Sequence, residues 1–178
     1  MQTSVNHSNR RQTRFEYAKI DNRHVSESAK SISDDIERAG HYLAQGDAFA
    51  EKERWTEAQA SFAMAAKLAP KASLSWLSYA LACWPQQLYG PAGQAIEDCL
   101  HFSVPIPDSP DIQKGLKAYE AENWADAQRF FEAALASGVP DSAPHLLLAV
   151  SLLRQGKIPD ALSRLVTAKN MEEADARQ

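Results

Sequence analysis

The stretch RWTEAQASFAMA at residues 54–65 is answered by NWADAQRFFEAA at residues 123–134, so Trp-x-x-Ala-Gln-x-x-Phe occurs twice, at a numbering offset of 124 − 55 = 69. Two unrelated amphipathic helices would share that pattern by accident, whereas copies of one structural unit share it because each solves the same packing problem. Under the same offset Leu77 falls on Leu146, Leu81 on Val150, Ala92 on Ala161, Ile96 on Leu165 and Cys99 on Ala168. Half the offset works too: Gly46, Phe49, Ala58, Phe62, Ala65 and Pro70 find counterparts in Ala80, Cys83, Ala92, Ile96, Cys99 and Val104. A period of this length constrains the chain to an array of like units, each too small to bury its apolar face alone.

The units are helical. Between the breakers, helices are expected over residues 33–52, 55–68 (closed by Pro70), 73–84 (stopped by Pro85) and 91–102, then over 111–121, 124–136, 143–155 (ended by Gly156) and 159–172. WLSYALACW and LLLAVSLL are apolar enough for buried strands, but their Ala and Leu content favours helix, and no stretch alternates in the β manner. Ser31 or Ser33 is placed to cap the first helix, with Asp34, Asp35 and Glu37 suited to its positive end. Thr56-x-x-Gln59 reads as a capping box with Trp55 stapling the turn before it, and Pro91 and Pro159 as first-turn prolines. The fold class is therefore all-α, built from helix pairs with short connections.

Charge divides the chain. Residues 1–30 carry six Lys/Arg against three acids, a net of +3, so the total of −4 leaves −4 − 3 = −7 for the rest. This first segment is rich in Ser, Asn, Arg and Gln, and is too polar to order itself by burial. A flexible basic arm over residues 1–30 is expected, followed by a repeat domain over 31–178. A net negative charge gives no reason to expect nucleic acid, which calls for a basic face. The N-terminus lacks a secretory h-region, and no apolar run approaches a membrane span. Cys83 and Cys99 make no disulfide framework and sit at helix-core spacing, which points to a reduced, cytoplasmic protein.

Nothing here points to an enzyme. His7, His24, His41, His101 and His145 are scattered, and none pairs with Cys or a carboxylate at metal-ligand spacing. No Gly-rich phosphate loop or nucleophile elbow occurs, so no cofactor and no metal are expected.

A period of about 34 residues in helix pairs resembles the tetratricopeptide repeat. That pattern wants a large, a small and a large residue on its first helix, then Ala, a large residue, Ala and a closing Pro. Residues 39–72 supply Tyr42, Gly46, Phe49, Ala58, Phe62, Ala65 and Pro70, and residues 73–107 supply Trp76, Ala80, Cys83, Ala92, Ile96 and Cys99. Residues 108–141 supply Gly115, Ala127, Phe131 and Ala134, and residues 142–175 supply Leu148, Ala149, Leu152, Ala161, Leu165 and Ala168. Departures are Gln45 in a usual Leu slot and Asp111 and His145 in the aromatic slot.

The resemblance implies a right-handed superhelix of about four hairpins whose first helices line a concave groove. Its groove positions fall on Leu43, Asp47, Leu74, Leu77, Leu81, Trp84, Ile112, Leu116, Tyr119, Leu146, Val150 and Leu153. All but Asp47 are candidate contacts for a protein or peptide partner with apolar anchors. Independently of any family, LSWLSYALACW and PHLLLAVSLL are apolar around most of the helix, so each is buried on more than one side. Their second faces are covered by a ligand, another copy, the chain's own arm, or a tight core. The family's carboxylate clamp is missing, since its slots hold Leu43, Asp47, Ser78, Ser109 and Gln113. The implied function is a non-enzymatic binding module, an adaptor or chaperone. In layout it is loosely similar to the tetratricopeptide chaperones of type III secretion translocators. Self-assembly into homo-oligomers is the alternative, because the last unit ends at LVTAKNMEEADARQ without an extra capping helix.

Overall fold

The computed structural model describes the backbone of residues 7–177 and the side chains of residues 28–177. Its eight helices are α1 (His7–Ala50), α2 (Trp55–Leu68), α3 (Ser73–Cys83), α4 (Tyr89–Phe102), α5 (Pro110–Glu120), α6 (Trp124–Ala136), α7 (Ser142–Arg154) and α8 (Ile158–Asp175), with no strand among the described residues. They form four hairpins, each the first and second helix of one expected unit.

The repeat is written in the backbone as well as the side chains. Within each hairpin the turn holds one residue at positive φ: Glu53 (56°), Gln87 (58°), Glu122 (57°) and Gly156 (72°). Their numbers step by 34, 35 and 34 (87 − 53, 122 − 87, 156 − 122). A left-handed residue ends each first helix and aims the chain back along it. Only the fourth unit fills that position with the residue that adopts it without strain.

Close packing inside the first and third hairpins rests on a glycine. The Phe62 ring lies so tightly over Gly46 that a Cβ there would stand 2.4 Å from its Cε1, and Phe131 lies over Gly115 at the same 2.4 Å. Both pairs obey the offset of the Trp motif, since 115 − 46 and 131 − 62 equal 69. The repeated Trp-x-x-Ala-Gln-x-x-Phe thus has a mechanical meaning. Its Phe crosses to the facing helix, and its Ala (Ala58, Ala127, both 0% exposed) lets the two helices approach.

The hairpins do not stack in simple chain order. α2 packs on α3 and α6 packs on α7, as successive units should. The second hairpin, however, packs on the fourth: α3 lies against α8 and α4 against α7. Helices α3, α4, α7 and α8 therefore form a four-helix bundle, with hairpins α1/α2 and α5/α6 attached to α3 and α7. Its core holds Leu77, Ile96, Cys83 and Cys99 from one hairpin with Leu146, Val150 and Leu165 from the other. One carboxylate ties the bundle at an end. Ser73 Oγ donates to Glu172 Oε2 at 2.5 Å and Ser142 Oγ donates to Glu172 Oε1. Ser73 and Ser142 again differ by 142 − 73 = 69 and open their helices, where a carboxylate also meets the positive helix ends.

Three local expectations are corrected. The first helix begins at His7, not at Ser31 or Ser33, because no Pro or Gly interrupts residues 1–39 and the serines are tolerated inside a long helix. Helix backbone thus runs through most of the segment read as an arm. Residues 1–6 and the side chains through Glu27 lie outside the described residues. The capping box does not form either. Arg54 is the N-cap, Thr56 Oγ1 donates to Gln86, and Gln59 Nε2 donates to the Tyr79 hydroxyl and faces Cys83 Sγ at 3.1 Å. Trp55 is the first residue of α2, so it does not staple from outside.

Candidate functional site

The groove residues read from the sequence come together, but as interior. Leu77, Ile112 and Leu146 are 0% exposed, so none of the three is open to a ligand, and Val150 is 2% exposed. Leu81, Trp84, Tyr119 and Leu153 pack half-buried against the bundle core with them. Ile112 and the half-buried Leu116 belong to a second cluster under Phe131, and Leu43 packs beside Phe62 in a third. Leu74 is half-buried and joins none of these clusters. The physical reason is the position of the fourth hairpin, whose α7 and α8 occupy the space that an open groove would leave beside α3. The apolar circumference of α7 is explained likewise. Residues 142–144 and 146–152 are all buried, between α8, α6 and α4.

What stays open is a cleft of about 670 Å³ where the second and third hairpins part. Its wall is the end of α4 (Glu97, Leu100, Phe102), its lip the connection Ser103–Ile106, and its floor Leu147 and Val150 of α7 with Tyr119 of α5. The connection SVPIPDS holds two prolines and no helix, so it bridges hairpins without filling the space between them. Val104 anchors it at 5% exposure, whereas Phe102 (48%) and Ile106 (40%) are exposed at the rim. Opposite them stands a polar corner. The Tyr119 hydroxyl donates to Glu97 Oε1 at 2.5 Å, and Arg154 Nη2 reaches the same oxygen at 2.9 Å. Burial, and then that bond to a carboxylate, pushes the Tyr119 hydroxyl up to about 12, so it stays a neutral donor. Sequence reasoning found Tyr119 and Val150 but missed Leu100, Phe102 and Ile106. The signal was available in the apolar residues set among prolines at 104–107.

A smaller pocket of about 320 Å³ lies between α1, α2, α3 and α8, lined in part by Leu81, Trp84, Asp47 and Lys169. Burial raises the Asp47 carboxyl, and the Lys169 charge partly offsets that rise. This is the remnant of the expected groove after α8 has closed it.

Both cysteines are free and buried. Burial, with the Glu172 charge adding to it, pushes the Cys99 thiol up to about 12, the wrong direction for a nucleophile. Burial beside Arg164 lowers the His145 pKa, so that ring is neutral at pH 7. Among the described residues, no group of three or more His, Cys, Asp or Glu is placed to hold a metal ion. No described helix is long and apolar enough to cross a membrane.

No curated protein is similar enough in sequence to count as a match. Among solved structures, the fold is similar to residues 41 to the end of MamA from Desulfovibrio magneticus RS-1, with a TM-score of 0.41 and 15% identity over 75% of each chain. The family model described as tetratricopeptide repeat matches residues 43–99 and 112–170, well over half of the chain. The starts of its two matches differ by 112 − 43 = 69, the interval of the opening echo. Repeats of this kind serve as protein-protein interaction modules and are generally non-enzymatic. The chain belongs to the tetratricopeptide repeat family.

Proposed function

We propose that the chain is a non-enzymatic adaptor that takes an apolar anchor of a protein partner in the cleft between α4, α5 and α7. The observation that carries this reading is the pairing of an apolar floor (Leu100, Leu147, Val150) with exposed Phe102 and Ile106 at the mouth. Large apolar side chains clustered around a concavity, with a few polar groups to one side, are how peptide-binding sites are commonly built. The Glu97–Arg154–Tyr119 corner would orient the incoming backbone or a polar neighbour of the anchor. Tyr119 and Val150 carry over from the expected contact set. The narrower reading as a secretion chaperone rests on layout alone.

The test is capture of partners from source lysate on immobilised wild type, Phe102→Glu, Ile106→Glu and, as a surface control, Val166→Glu. Circular dichroism verifies that each variant is folded. A partner lost with both cleft variants and kept by the control supports the cleft. Retention of every partner by both cleft variants refutes it.

A further inference from the structure

Helix α1 runs far past the helix it packs on. It has 44 residues against the 14 of α2. At about 1.5 Å per residue, α1 is roughly 45 Å the longer. The seam that meets α2 is Gly46, Leu43 and Ala39: Gly46 under the Phe62 ring, Leu43 in the same cluster, Ala39 4% exposed. Continued toward the N-terminus with the same alternation of three and four, the sequence reads Ile36, Ile32, Ala29, Val25, Asn22, Ala18 and Phe15. The ten positions from Phe15 to Gly46 keep a strict heptad, with Asn22 the sole polar member. Such a repeat marks a helix paired along its length with another helix. Among the described residues, α2 covers the C-terminal end of α1. Beyond that end Ile36 is 58% exposed and Ile32 61%. The two isoleucines, with Asp35, wall a groove of about 510 Å³ whose other side is Leu68, Ala69, Pro70, Lys71 and Ala72.

The charge along α1 identifies what covers the stripe. Arg10, Arg11, Arg14, Lys19 and Arg23 outnumber Glu16, Asp21 and Glu27 in its first half. Asp34, Asp35 and Glu37 outnumber Lys30 and Arg38 beside the groove, where Arg38 Nη1 donates to Asp35 Oδ1 at 3.1 Å on the exposed surface. We propose that α1 pairs antiparallel with α1 of a second copy, each N-terminal half seating in the other's groove. The register that matches the stripe with itself sets Phe15 opposite Ile32 of the second copy, Ala18 opposite Ala29, and Asn22 opposite Val25. The two Asn22 positions then fall in adjacent layers beside the two-fold axis, where a lone polar pair fixes register. The same register sets Arg14 beside Asp35 of the second copy at both ends, and Phe15 at the mouth of the groove. A parallel pairing instead sets Arg14 against Lys19 of the other copy. This dimer is independent of the cleft, and failure of either reading leaves the other standing.

Light scattering and sedimentation on the full chain test it. The wild type is expected to be dimeric at about 100 µM, a concentration at which even weak specific helix pairing is populated. Ile32→Glu, on an exposed position opposite Phe15 of the second copy, is expected to keep the helical content and weaken the dimer at least tenfold, given the apolar burial lost at both ends. Arg14→Glu and Asp35→Arg are each expected to weaken it, and together to restore it. A wild type that is monomeric at that concentration overturns the proposal. So does a dimer indifferent to the isoleucine variant, or a charge swap that restores nothing.

Discussion

The first and third hairpins are sealed by an aromatic ring over a glycine, the second and fourth by an aliphatic side chain near an alanine. Where units one and three place Gly46 under Phe62 and Gly115 under Phe131, units two and four place Ala80 with Ile96 and Ala149 with Leu165. The rings seal their own hairpin and reach the next one in sequence, Phe131 sharing a cluster with Leu147, Leu148 and Leu152 of α7 and Phe62 one with Ala82 of α3. Ile96 and Leu165, both 0% exposed, instead belong to one core that the two hairpins share. Slots of the same repeat thus do two jobs, sealing a unit against its neighbour in sequence or joining it to a unit distant in sequence.

The largest effect should follow from attacking the shared core. Leu146→Ala removes a fully buried side chain from the bundle and is expected to cost about 2–5 kcal/mol in urea unfolding. An effect under about 1 kcal/mol would mean that the two hairpins merely touch. Next comes the sealed hairpin. Gly115→Ala forces a methyl into the Phe131 ring and should cost about 1–3 kcal/mol, with Phe131→Leu in the same chain recovering part of the loss. Ala149→Gly should show no such coupling with Leu165. Glu172→Ala, which leaves the hydroxyls of Ser73 and Ser142 without their shared acceptor, should cost about 1–2 kcal/mol. Ser73→Ala and Ser142→Ala should each recover less than half of that cost alone. The smallest effect is at the turns: Glu122→Gly relieves a left-handed non-glycine residue and should stabilise by about 0.5–1 kcal/mol, while Gly156→Ala should do the reverse.

A chemical probe sharpens the contrast without changing stability. With its thiol pushed up to about 12 against an ordinary 9.0, Cys99 is almost wholly protonated at pH 8 in the folded chain. Alkylation at pH 8 should therefore be slower than in the unfolded chain by about a thousandfold or more. Cys83, raised by burial in the same direction, should also be alkylated more slowly in the folded chain than in the unfolded one.

Much of this architecture was legible in the residues. The echo of Trp55 in Trp124 marked the paired hairpins, and Pro70, Pro85, Gly138 and Gly156 marked the ends of helices. The break before the third hairpin could be read from SVPIPDSP. The pairing of the second hairpin with the fourth could not. A repeat period reports which residues occupy equivalent slots, and it is silent on which equivalent surfaces meet. Leu77 and Leu146 therefore looked like the wall of an open groove when each was filling the other's. The start of α1 was misjudged because Ser31 and Ser33 are good caps, yet no residue before them breaks a helix.

Hydrogen exchange on Leu146→Ala tests the shared core most directly. The bundle requires that amides of α3 and α4 (Ser73–Cys83, Tyr89–Phe102) lose protection together with those of α7 and α8, and more than those of α2. If loss of protection is confined to α5–α8 while α3 and α4 keep their wild-type rates, the second and fourth hairpins do not share a core, and the account is wrong.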